Sequence, residues 1–178
     1  QLTNRHRVPV LLAVIPAFTG AALQQRLALE MAVEVAVHGW AHVNHAGAGE
    51  KSRELGLHRP LATVLDELAR AREHLASLYQ TRFLPMLVPP WNRIDDDLVD
   101  ALAACGYTAL STFRPRARPF ARPGLAQVNT HLDLIDWAGT RHFVGTAHAL
   151  AVLVGHLAAR RAAWSNSAQP DEATGVLS

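Results

Sequence analysis

The segment His38-Gly39-Trp40-Ala41-His42 places two imidazoles four residues apart directly after the apolar run Val33-Glu34-Val35-Ala36-Val37. If the segment turns helically, both rings can reach one metal ion, with His45 one further turn along. The alternative is a pair of satisfied polar histidines. A second group, Val88-Pro89-Pro90-Trp91-Asn92-Arg93, follows another apolar run. Two prolines fix the backbone there, so the Trp91 amide can be held as an oxyanion donor while its ring walls a pocket. A plain strand-to-helix turn with an aromatic plug would have the same sequence. The third group, His131-Leu132-Asp133-Leu134-Ile135-Asp136-Trp137, sets two acids three apart beside an indole. One carboxylate can tune an acid or base and the ring can pack on a sugar face; a loop whose acids cap nearby amides reads equally well.

Composition bounds what these groups can be. The 178 residues, 49% of them hydrophobic, suit one domain with a sizeable core. Cys105 is the single cysteine, which excludes both a disulfide framework and a thiolate zinc cluster and leaves nitrogen and oxygen to hold any metal. The net charge is +2 and Lys51 is the only lysine, an arginine bias that reflects composition rather than a nucleic-acid surface. No apolar run approaches the roughly 20 residues of a membrane span, and Gln1-Leu2-Thr3-Asn4-Arg5-His6 lacks a signal-peptide core. A chain that opens on Gln1 rather than Met reads as a piece of a longer protein.

Strands and helices must alternate to carry the three groups. Strands are expected at Val8 to Ile15, Val33 to Val37, Phe83 to Val88, Tyr107 to Thr112 and Leu125 to His131. Helices are expected at Thr19 to Glu30, with Leu23, Leu27 and either Ala28 or Met31 inward, and at Pro60 to Tyr79 through Leu61, Leu65, Leu68, Leu75 and Leu78. A third runs from an Asp95 or Asp96 cap to Cys105 and stops at Gly106. A fourth, Thr146 to Arg161, should bury Leu150, Leu153, Val154 and Leu157. Phe113 to Gly124, with prolines and arginines interleaved, is expected to be an exposed loop without regular structure. A polar linker from Trp164 to Glu172 and a strand over Thr174 to Ser178 would close the chain. His6, His58, His74, His142, His148 and His156 have no evident partners. This order argues for parallel βα units with ligands at the C-terminal strand ends, in a barrel or an open doubly wound sheet.

At these three groups the chain resembles the polysaccharide deacetylases, the carbohydrate esterase family with the NodB-homology domain. H-x3-H, then Pro-Pro-Trp, then D-x-x-D-W is similar to that family's second, third and fourth motifs, over roughly Val8 to Ser178. The resemblance implies an α/β fold, a distorted (β/α) barrel, forming one catalytic domain over 1–178 that removes acetyl groups from N- or O-acetylated carbohydrate. It implies a divalent ion on His38 and His42, with Zn2+ favoured by two imidazoles plus a carboxylate, although manganese, cobalt and nickel accept similar ligands. The Trp91 amide would be the oxyanion donor, Asp136 would orient a catalytic histidine, and Pro90, Trp91, Asn92, Arg93 and Trp137 would line the substrate pocket. Two departures follow. Val88 stands where the family usually has an arginine, for which Arg93 is the candidate substitute. No Asp or Glu precedes Glu30, so the family's first-strand acids, base and third ligand, are missing, and its final histidine would follow Ser178. The expectation is a domain truncated at both ends and inactive by itself. Two rivals stay open: a non-catalytic carbohydrate-binding protein in which Trp40, Trp91 and Trp137 stack sugars, and a metal-dependent amidohydrolase acting on small amides.

Overall fold

The computed structural model describes residues 2–166. A short helix α1 (Leu2–His6), in a segment for which the sequence offered no element, precedes strand β1 (Val10–Val14), helix α2 (Ala21–Ala28) and strand β2 (Val33–Val37). Helix α3 (Leu61–Tyr79), strand β3 (Phe83–Leu87), helix α4 (Asp96–Ala101) and strand β4 (Ala109–Leu110) follow, then strands β5 (Phe120–Arg122) and β6 (Leu125–Gln127) and helix α5 (Thr146–Asn166). The six strands form one sheet in the order β1-β2-β3-β4-β6-β5, with β1 and β5 at its edges. All neighbours are parallel except β5 and β6. The α/β architecture expected from the alternation is therefore present. No described helix is long and apolar enough to cross a membrane.

Apolar runs account for the central strands, which bury residues on both faces, Val35, Val37 and Leu87 in one cluster and Ala36, Met86 and Ala109 in another. β1 and β2 pair in register from Val10 with Val33 to Val14 with Val37. The register between β2 and β3 shifts within Val35–Val37, and Pro85 sits in that stretch of β3. Its carbonyl still accepts the Thr108 amide at 2.8 Å. α3 seals this half of the sheet with Val64, Leu68, Ala71, Leu75 and Tyr79, all buried. Tyr107, also buried, donates its hydroxyl hydrogen to Leu68 O at 2.8 Å and fastens the helix to the strand beyond.

Several expectations change. Phe120–Arg122 is not irregular: it forms an antiparallel edge strand on β6. Pro123-Gly124, with Gly124 at φ +77, makes the tight reversal, and Pro115 and Pro119 fall outside the paired residues. Leu150, Val154 and Leu157 of α5 are exposed rather than buried. In α2 only Leu27 is buried, whereas Ala28 and Met31 face solvent. α4 ends at Ala101, and the Asp95 carboxylate does not cap it but accepts from the Leu57 amide at 2.8 Å and pairs with Arg53. Gly106, at φ +82, does hold the expected left-handed position. Trp164 to Asn166 belongs to α5, while the remainder of the proposed linker and the strand over Thr174 to Ser178 lie outside the described residues.

Candidate functional site

β2 delivers His38 while still inside the ladder, its amide bonding Val14 O at 2.9 Å. The ring Nδ1 lies 2.8 Å from Val88 O. A carbonyl only accepts, so Nδ1 carries the hydrogen and the Nε2 lone pair is left for another partner, the tautomer of a ligating imidazole. Burial lowers the His38 pKa; Val88 and Glu54 act the other way and His42 acts with burial. The neutral ring is thereby favoured. Four residues on, His42 adopts φ 56, which turns its ring back to 5.1 Å from that of His38 and 4.2 Å from that of Trp91. The H-x3-H pair thus converges through a left-handed residue rather than through a helical turn.

β3 ends in Val88-Pro89-Pro90, and Trp91 and Asn92 both take left-handed conformations at φ 55 and φ 56. A bulky residue there costs about 1–2 kcal/mol, a strain that clusters at functional sites. The Asn92 and Arg93 amides bond Pro89 O and Pro90 O, whereas the Trp91 amide donates to no acceptor among the described residues. Val88, at the position where the resembled family has an arginine, contributes its carbonyl to His38. Arg93 donates Nη1 to Ser52 O at 2.8 Å and so pins the loop between β2 and α3.

That loop carries a residue the sequence reading passed over. Glu54 is 1% exposed. Its Oε1 accepts the Trp40 and Ala41 amides at 3.2 and 2.8 Å, and its Oε2 is buried without a partner. A β-carbon on Gly39 would overlap Oε2 and come within 2.8 Å of Pro90 Cγ, and Gly39 itself sits at φ +65. Glycine is required there twice over. The only trace in the sequence was an acid flanked by Leu55 and Gly56 at the end of a Gly-rich, charged stretch.

The third group is a strap beyond β6. The ladder runs past the strand's end through Val128 and Thr130, which bond Leu110 O and Thr112 O at 2.9 Å. Buried Asn129 accepts the Thr112 amide and hydroxyl at 3.0 Å and donates to Arg114 O at 2.8 Å. Asp133 is committed locally, to the Ile135 amide at 2.9 Å and to Trp137 Nε1 at 2.8 Å. Asp136 accepts from the Thr140 and Gly139 amides, both at 3.0 Å, and its pKa is lowered by these bonds, that from Thr140 first. His131 packs on His156 with ring centres 5.2 Å apart.

These elements enclose a cleft of about 370 Å³ lined by His38, Val88, Pro89, Trp91, Asn92, Phe113, Thr130, Leu132, Asp133 and Leu134. It brings together members of all three groups. His42, Pro90, Arg93, Asp136 and Trp137 are not among its lining residues; His42 packs on Trp91 at the cleft's edge, Pro90 is buried beneath and Trp137 stands exposed on the strap. Trp40 faces elsewhere, with the Arg70 guanidinium 4.6 Å from its ring centre. Of the histidines without an evident partner in sequence, His58 bonds Glu50 at 2.7 Å, and His74 approaches Thr19 O at 3.3 Å. Among the described residues no three His, Cys, Asp or Glu side chains gather closely enough to hold an ion. His38 and His42 are the two nitrogen donors available to an ion here, with an Nε2 lone pair on His38 and the rings 5.1 Å apart.

No protein-family model and no curated protein matches the sequence. Solved structures do match its shape. A Mycobacterium smegmatis protein assigned to the polysaccharide deacetylases superposes with TM-score 0.62 at 19% identity, over 90% of this chain and 57% of that one. A de-N-acetylase from Aggregatibacter actinomycetemcomitans superposes with TM-score 0.52 at 11% identity, over 71% of this chain and 61% of that one. The chain thus spans about three-fifths of the length of these neighbours. At such identities the likeness is one of fold, an α/β architecture shared with these two neighbours.

Proposed function

We propose that this chain carries the core of a metal-dependent hydrolase that removes acetyl groups from N- or O-acetylated carbohydrate. The observation that carries the reading is the cleft in which an imidazole with a free Nε2 faces a strained Trp91 turn whose amide has no acceptor, on a deacetylase fold. His38 and His42 would hold the ion, with Zn2+ the favoured metal. A bound ion would supply Lewis-acid polarisation of the acetyl carbonyl and a more acidic water. The chain's own residues do the rest. Val88 O holds the His38 tautomer, the Trp91 N–H stabilises the developing oxyanion, and Asn92 offers an exposed amide at the cleft. Trp137 and Leu134, both exposed on the strap, give an apolar edge against a sugar face. Asp136 shapes that strap through Gly139 and Thr140.

Asp133 has both carboxylate oxygens engaged, and no other carboxylate among the described residues lines the cleft. Acetyl release by this chain alone is therefore expected to be slight, at the level left by binding and the oxyanion donor. The test is equilibrium dialysis against Zn2+ with elemental analysis, paired with acetate release from acetylated sugars and chromogenic acetyl esters. One equivalent of metal that disappears in both His38→Ala and His42→Ala supports the reading. No metal in the unsubstituted protein overturns it. A non-catalytic carbohydrate-binding protein is the second reading, favoured by Val88 in the place of an arginine; sugar binding in metal-free protein would support it.

A further inference from the structure

Glu54 joins the two halves of the site, although it is not among the residues lining the cleft. Its carboxylate lies beneath the His38–His42 turn, where Oε1 takes two consecutive backbone amides of that turn. Oε2 is buried against Gly39 at the point where Pro90 also closes on that glycine. Nothing else among the described residues satisfies Oε2. A buried carboxylate with one unpartnered oxygen is expensive to keep, and a glutamine would serve two amides at less cost. The carboxylate lies against Gly39, the residue that follows His38, so its charge falls within Coulombic reach of that imidazole.

We propose that Glu54 is the positioning residue of this site: it clamps the Trp40 and Ala41 amides so that the turn presents both imidazoles to one point, and it holds a negative charge behind them that strengthens their grip on a divalent cation. The ring's own hydrogen-bond partner is Val88 O, so Glu54 acts through the shape of the turn and through Coulombic attraction for a cation, worth about tenfold or more in affinity at this range. The effect on an ion rests on the metal reading proposed above; the clamp on the turn does not.

The test uses the full chain with Glu54→Gln and Glu54→Ala. Co2+ binding is followed by absorption, amide hydrogen exchange at Trp40 and Ala41 by NMR, and folding by thermal midpoint. Glu54→Gln keeps an acceptor and loses the charge, so it should hold the turn's protection while binding Co2+ about tenfold or more weakly. Glu54→Ala should also speed exchange at both amides by about 10- to 100-fold, with the central strand amides of β2 unchanged. Wild-type Co2+ affinity in a folded Glu54→Gln protein overturns the electrostatic role. Should the unsubstituted protein bind no Co2+, the metal reading falls and exchange alone judges the clamp. Trp40 and Ala41 in the unsubstituted protein should exchange about tenfold or more slowly than the exposed Val43 and Asn44. Equal rates overturn the clamp whatever the variants do.

Discussion

Helices α3 and α5 are both long and leucine-rich, yet they differ in what they cover. α3 sets Val64, Leu68, Ala71 and Leu75 wholly out of solvent against β2 and β3, and its other side carries Asp66, Glu67, Arg70, Arg72 and Glu73. α5 has no charged residue from Thr146 to Ala159, and Leu150, Val154 and Leu157 stand exposed. An apolar period shows that a helix can bury a face; opposed charges on the other side show which face, and α5 lacks that information. The site inherits the contrast. His38 at the end of β2 and Glu54 on the loop that follows are tied by bonds to distant residues, whereas Asp133, Asp136 and Trp137 lie on a strap whose bonds are mostly to its own residues.

The same truncation made in both helices gives the sharpest break. Leu68→Ala should cost about 2–5 kcal/mol by cavity formation, read from urea unfolding. Next, Gly39→Ala places a β-carbon on Glu54 Oε2 in a left-handed conformation, and should cost about 2–4 kcal/mol. A neutral result in the same assay would mean that the carboxylate does not sit beneath the turn. A smaller effect comes from His38, whose folded pKa lies below its ordinary 6.5. Between the two values the unfolded chain binds a proton that the folded chain does not. Its contribution to stability is thus full above pH 6.5 and is lost as pH falls through the folded value. His38→Gln should flatten that acid-side slope relative to the unsubstituted protein in urea midpoints taken across pH 4.5–7.5. Smallest of all, Leu157→Ala should change stability by less than about 0.5 kcal/mol. A loss matching that of Leu68→Ala would show that α5 is covered in solution and would dissolve the contrast.

Much of the scaffold was legible because apolar runs and helical periods are local signals. β2 falls on its expected residues, and α3 starts and ends within one residue of expectation. Even so, the buried stripe of α3 is not its leucine pattern. Leu61 is exposed and Leu65 and Leu78 are half-buried, while Val64 and Ala71 are sealed. Small side chains take the positions closest to the sheet, and counting leucines overlooks them. β5 was missed because proline and arginine suggested solvent, although an edge strand admits both. Glu54 could not be found from spacing, since the amides it serves lie 13 and 14 residues away across a loop. The strand-end histidines were legible, but their convergence rests on a left-handed His42 that no pattern announces.

The bond from His38 to Val88 closes a span of 50 residues. Such a contact forms late, after chain entropy has been spent to bring β3 beside β2, and its formation therefore reports arrival at the native topology rather than local order. A peptide holding only the two histidines would keep their spacing and lose their tautomer and their convergence. Ligand affinity at this pair is consequently a property of the folding equilibrium, and whatever binds there will also draw the chain toward its native state.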